Sequence, residues 1–297
     1  MHIKDIHTDE IRCDFLVTTD RKKVWQVELE LLAEFDRICR KYGLRYFADY
    51  GTLLGAARHK GFIPWDDDID VTMMRPDYER LKQVMKQERL SEPFFFQTAY
   101  TDNVGLFIAK LMNKNTSGVQ DFSTDKYCQG IFLDIWPLDA ALDGSGHMEN
   151  MKTCYQELMY TVLNPEELMG KLQAGAESTI SPAALQQLCR LPFEEKWQQL
   201  ETFLCKHFHD SDSLAVLMYL LNGKETGIDK SLYKDIVMLE FEGMKIPAPA
   251  RYEEILNIRY GDWHKWVKFA SEHNGTVFSA DIPYKDLIAA YQGEGNL

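Results

Sequence analysis

Residues 51–74, GTLLGAARHKGFIPWDDDIDVTMM, place Asp66, Asp67, Asp68 and Asp70 within five positions and run directly into an apolar segment. Alternation along an extended strand would put Asp66, Asp68 and Asp70 on one face, with Asp67, Ile69 and Val71 on the other. Carboxylates on one face repel each other, and burial raises that cost. A divalent cation removes it, and an all-oxygen donor set suits magnesium or manganese. The ordinary reading of an Asp-rich run is a solvated turn. Here Pro64-Trp65 before it and Ile69 and Val71 within it favour the edge of a core. An EF-hand is disfavoured: with Asp66 first, position six is Val71, where that loop needs glycine.

A second carboxylate lies far along the chain. In GIFLDIWPLD, Asp134 stands between Ile131, Phe132, Leu133 and Ile135, Trp136. Ionised in an apolar strand, it costs several kcal/mol unless it meets an arginine, a helix start or a metal. With the acidic run it completes a D-x-D pair plus a distant aspartate. Such a set suits two metal ions roughly 3.5–4 Å apart, stabilising attacking and leaving oxygens in phosphoryl transfer. Spacing leaves Asp66/Asp68 and Asp68/Asp70 as alternative pairs. On the phosphate side, Gly51 and Thr52 open a predicted helix, with Thr52 as its expected cap, and offer N–H groups and a hydroxyl. Arg58, His59 and Lys60 follow, and Lys110 interrupts the apolar FIAKL. Such a lysine can snorkel; the preferred role is neutralising phosphate.

The elements that must position these groups are legible by period. Val24, Val27, Leu31, Phe35, Ile38 and Tyr42 predict a helix over 21–42, stopped by Gly43. A strand ending at Gly51, a short helix, the strand DIDVTMM and a helix opened by Pro76 follow. PFFFQTAY, GLFIAKLMN and GIFLDIW read as further strands, giving an α/β core over about 21–140. Residues 143–235 read as mostly helical, with SLAVLMYLL as a buried helix, and a hairpin and helix come after. The expected organisation is a core over 1–142, a helical region over 143–235 on the acceptor side or as a lid, and 236–297 packing back on the core. DGSG, from Asp143 to Gly146, marks the first boundary.

The net charge of −13 argues against nucleic acid held on a basic surface. No apolar run reaches the roughly 18 residues of a membrane span, and the first residues are too polar for a secretory leader. The expectation is a cytoplasmic protein, with peripheral association at the inner membrane face left open. Six scattered cysteines without a C-x-x-C pair predict reduced thiols. His207 and His209, two apart on a predicted helix, make a poor metal pair.

YFADYGTLLGAARHKGFIPWDDDIDVTM closely resembles the signature of the LicD family, phosphocholine transferases that decorate bacterial surface glycans, whose pattern extends to fukutin-related transferases moving other alcohol phosphates. GIFLDIWPLD resembles the second block of that family and IPAPARYEEILNIRYGDW its C-terminal block. The resemblance implies a nucleotidyltransferase-like α+β fold, a mixed sheet flanked by helices with an inserted helical region. It implies Asp68 and Asp70 as the D-x-D ligands and Asp134 as the third, holding two magnesium or manganese ions. It sets Gly51 and Thr52 at the donor phosphates, with Arg58 and Lys110 as nearby basic groups. The implied donor is a CDP-alcohol, CDP-choline first, and the acceptor a hydroxyl of a glycan or glycolipid. Asp66 and Asp134 are the candidate proton acceptors. Trp65, Trp136, Tyr50 and Phe62 are candidates to face a choline cation, with core packing the commoner role for any one. Met112 and Asn113 after Lys110, and the absence of prolines in WHKWVKF, depart from the family pattern. The alternatives are nucleotidyl transfer from an NTP and a non-catalytic metal- or glycan-binding module; the three carboxylates argue against the second.

Overall fold

The computed structural model describes residues 3–102, 105–142, 146–268 and 275–293. The chain divides into two compact units, one of Met1–Gln97, Ile108–Trp136 and Leu232–Leu297, the other of Thr98–Phe107 and Pro137–Ser231.

The first unit is α+β. Its long helix, Thr19–Tyr42, starts where the Thr18 hydroxyl accepts the Arg21 N–H and ends at Gly43, whose φ of 61° is the left-handed stop the sequence predicts. Trp25, Leu29, Leu32 and Phe35 form its buried stripe. The short strand Phe47–Ala48 pairs antiparallel with Asp70–Met74, Phe47 opposite Thr72. On the other side of Asp70–Met74 lies Ile131–Ala140. That strand also pairs antiparallel with Ala109–Asn113, which pairs in turn with Phe94–Gln97. The central strands are the apolar runs the sequence shows, because both of their faces are covered.

The predicted C-terminal hairpin is present as Ile236–Phe241 and Met244–Pro249. Glu242 and Gly243 both take positive φ at its tip, which a two-residue hairpin turn requires. Helix Tyr252–Tyr260 follows.

Three local expectations are corrected. The strand before the glycine turn is only Phe47–Ala48, and helix Tyr50–Arg58 already contains Gly51 and Thr52. Its cap is Asp49, not Thr52, because the Asp49 carboxylate reaches the Tyr50 N–H. SLAVLMYLL is not one helix: Ser213–Ala215 is a strand and Leu217–Leu221 a short helix. Leu214 pairs with Ala140 at the end of the long strand, so sheet pairing overrides the local helical pattern.

The second unit is largely helical, with helices His147–Leu163, Pro165–Gln173, Pro182–Cys189 and Phe193–His207. Leu142, Met151, Tyr155, Leu200 and Leu217 form its apolar centre. Of the expected boundary, Asp143, Gly144 and Ser145 lie outside the described residues.

Candidate active site

The glycine turn is held from beneath by a buried carboxylate. Asp49, fully buried, accepts the Tyr50 N–H at 2.9 Å, the Thr72 hydroxyl at 3.1 Å and Arg259 Nη2 at 3.1 Å. Arg259 also lies over the Tyr50 ring, 3.9 Å from its centroid. Tyr50, at φ 47°, takes the strained turn between strand and helix. The Thr52 hydroxyl accepts the Asp70 N–H at 2.8 Å, and the Asp49 N–H reaches the Asp70 carbonyl at 3.2 Å. Helix start and acidic strand are therefore one rigid piece. A Cβ on Gly51 would collide with Asp66 Oδ2, so glycine is what admits that carboxylate to the helix N-terminus. The helix dipole favours negative charge there.

The acidic run is not a strand throughout. Extended structure begins at Asp70, and residues 66–69 are irregular after a turn in which the Asp66 N–H reaches the Ile63 carbonyl. Strand alternation therefore fails before Asp70, and Asp67 does not face away as alternation predicts. Carboxylate oxygens of Asp66, Asp67 and Asp68 lie within 4.8 Å of one another. Asp70 and Asp134 are outside that set but act on Asp68. Burial first, then Asp70, Asp66 and Asp134, push the Asp68 carboxyl well above the usual range.

Asp134 is 4% exposed, and its N–H donates to the Ile69 carbonyl at 3.0 Å, which places it beside the start of the acidic strand. Lys110, directly opposite in the sheet, brings Nζ to 2.8 Å from Asp134 Oδ1 and to 3.6 Å from the Phe132 ring centroid. The contact is an ion pair without hydrogen-bond direction, so Oδ1 stays buried with an unused lone pair. Trp136, two residues on, donates its indole N–H to Asp70 Oδ1 at 2.7 Å. Buried oxygens, like charges pressed together and an all-carboxylate donor set fit a hard divalent cation.

Arg58 and Trp65 are engaged by other parts of the chain. Arg58 is six residues beyond Thr52, about 9 Å along the helix, and its guanidinium donates to the Trp263 and Lys265 carbonyls. Trp65 is buried edge-on to Phe15 and His59. Phe62 stacks on Trp25, whereas Tyr50 and Trp136 remain beside the acids, edge to face at 6.4 Å.

Sequence reasoning missed Asp49, Arg259 and Glu28. Glu28 is 1% exposed in the long helix, and burial, then Asp67 and Asp66, push its carboxyl well above the usual range. The signal was available: Glu28 lies between Trp25 and Leu32 on the apolar stripe, as conspicuous as Asp134 in its strand. Arg259 carried no such signal, since its partner lies 210 positions away.

Residues 43–195, about half of the chain, match the family model described as LicD/FKTN/FKRP, nucleotidyltransferase domain. The chain belongs to this family. The LicD/FKTN/FKRP match contains Asp49, Gly51, Thr52, the four aspartates, Lys110 and Asp134; Glu28 and Arg259 lie outside it. The lipopolysaccharide cholinephosphotransferase LicD of Haemophilus influenzae is 29% identical over 247 residues, covering 80% of this chain and 88% of that protein. The ribitol 5-phosphate transferase FKRP of Homo sapiens is 44% identical over 95 residues, 32% of this chain and 17% of that protein. Its Mus musculus counterpart is 34% identical over 79 residues, 22% and 16% respectively.

Proposed function

We propose that the chain transfers an alcohol phosphate, phosphocholine first, from a CDP-linked donor to a glycan hydroxyl and releases CMP. The observation that carries this reading is that buried Asp134 is hydrogen-bonded to Ile69 between Asp68 and Asp70, with the charges of Asp70 and Asp134 acting on Asp68, beside a helix start whose backbone is locked by Asp49. The family relatives support the class of reaction, since they are named as cholinephosphotransferase and ribitol phosphate transferases.

In this reading Asp68, Asp70 and Asp134 would hold two magnesium or manganese ions. Bound there, such ions neutralise diphosphate charge and stabilise the leaving oxygen. Gly51 and Thr52 orient the donor phosphates at the helix N-terminus. Lys110, already at Asp134, offsets charge that develops as the bond breaks. The acceptor oxygen forms a bond to the phosphorus that carries the alcohol, and the bond from that phosphorus to the bridging oxygen breaks. CMP takes the electron pair. The hydroxyl proton passes to a carboxylate oxygen of Asp66 or Asp134. Tyr50 and Trp136 are the aromatic rings beside the acids that would approach a choline cation, Tyr50 with Arg259 already over its ring.

Incubation with a panel of CDP-alcohols, Mn2+ and a glycan acceptor, read by CMP release, tests the proposal. CMP appears with one or more donors and is lost in Asp70→Asn. Pyrophosphate from an NTP sinks it in favour of nucleotidyl transfer, and no product from any donor favours a binding module. The pH–rate profiles of Asp66→Asn and Asp134→Asn separate the two proton acceptors, since only the true base loses its acidic limb.

A further inference from the structure

The long helix carries a carboxylate that its packing does not explain. Glu28 is 1% exposed, and neither of its oxygens has a hydrogen-bond partner among the described residues. Its direction follows from the helix. Arg21 Nη1 and Trp25 Nε1 both donate to the Asp66 carbonyl, at 2.6 and 3.1 Å. Glu28 stands seven residues after Arg21 and three after Trp25, on the same stripe, and so faces the same loop. The charges acting on it most strongly are Asp67 and Asp66, ahead of Arg21 and Asp134. Opposite it, Asp66, Asp67 and Asp68 bring carboxylate oxygens within 4.8 Å of one another.

We propose that Asp66, Asp67 and Asp68 hold a hydrated divalent cation, Mg2+ or Mn2+, and that Glu28 accepts hydrogen bonds from water the ion retains. Glu28 is not one of the three mutually close carboxylates, which suits an outer role. Magnesium sheds its water reluctantly and uses few direct protein ligands, so it needs buried acceptors just beyond them. Access exists: Asp67 lies on the wall of a recess of about 440 Å3, shared with Arg21, Lys23, Ser279 and Asp281. This ion is distinct from the pair assigned to Asp68, Asp70 and Asp134, and rests on that reading in sharing Asp68 with the pair and Asp66 with the two proton acceptors named there. Asp67 and Glu28 belong to this site alone.

Mn2+ counted by equilibrium dialysis and electron paramagnetic resonance decides the matter in wild type, Asp67→Asn, Glu28→Gln and Asp70→Asn. Asp67→Asn binds one ion fewer than wild type. Glu28→Gln keeps the count at saturation but weakens that ion about tenfold or more. The rise in Tm on adding Mn2+ is also smaller in Glu28→Gln than in wild type. Wild-type titrations in both Asp67→Asn and Glu28→Gln, or equal Tm offsets of Glu28→Gln with and without Mn2+, overturn the proposal. A full Mn2+ count in Asp70→Asn overturns the two-ion reading alone and leaves this one standing.

Discussion

Gly51 shows how a single hydrogen atom can set a site. Alanine is worth about 1 kcal/mol over glycine inside a helix, yet here its methyl would occupy the space of the Asp66 carboxylate. Gly51→Ala is therefore expected to destabilise, by about 1–3 kcal/mol. Adding Asp66→Gly should recover most of that loss, and a double-mutant cycle in urea measures the coupling. Additive effects would contradict the collision. His59 shows the opposite effect of burial on a base. Desolvation first, then Arg58 and Arg12, lower its pKa from 6.5 to about 4. The unfolded chain takes up this proton near pH 6.5 and the folded chain only near 4, so stability is full above 6.5 and falls as pH drops through that window. His59→Gln should flatten the wild-type decline in Tm between pH 6.5 and 4. An unchanged slope would show that other groups carry it.

At the scale of elements, the acidic loop is held on three sides by parts distant in the chain. Arg21 and Trp25 bind its carbonyl from the long helix, Trp136 binds Asp70 from the central strand, and Thr52 binds the Asp70 N–H. The Asp49–Arg259 pair ties helix Tyr252–Tyr260 to the start of helix Tyr50–Arg58, with side chains 1% and 7% exposed. Removing one partner of such a pair leaves a buried charge alone, which costs about 3–5 kcal/mol. Arg259→Met should lower stability by that amount in urea denaturation. The double change Arg259→Met with Asp49→Asn should cost less than the sum of the single changes. A loss below 1 kcal/mol in Arg259→Met would mean that the pair is not structurally important.

For the whole molecule, the relevant quantity is the net charge of −13, with four of its 46 carboxylates pressed into five positions, 66–70. A ligand that binds only the folded state stabilises it by RT ln(1 + [L]/Kd), about 2.7 kcal/mol at a hundredfold excess over Kd. Mn2+ should therefore raise the urea midpoint and EDTA reverse the rise. NaCl at equal ionic strength, which only screens, should do much less. Equal responses to both salts would argue against any specific cation site. Among the described residues no helix is long and apolar enough to cross a membrane.

The acidic run, the lone Asp134 and the glycine turn were legible from residue order because each breaks a local pattern: charge against an apolar run, or glycine at a helix start. The same holds for most helices and strands, whose apolar periods reflect which faces are covered. Residue order could not reveal where extended structure begins. Alternation assigned Asp67 to the wrong face because strand pairing starts only at Asp70. Nor could it reveal pairings between distant positions. Lys110 meets Asp134 through sheet register, Arg259 meets Asp49 across 210 positions, and Glu28 comes to face Asp66 and Asp67 through helix packing. Local order encodes propensity and period, whereas the company a buried charge keeps depends on contacts that exist only once the chain has closed on itself.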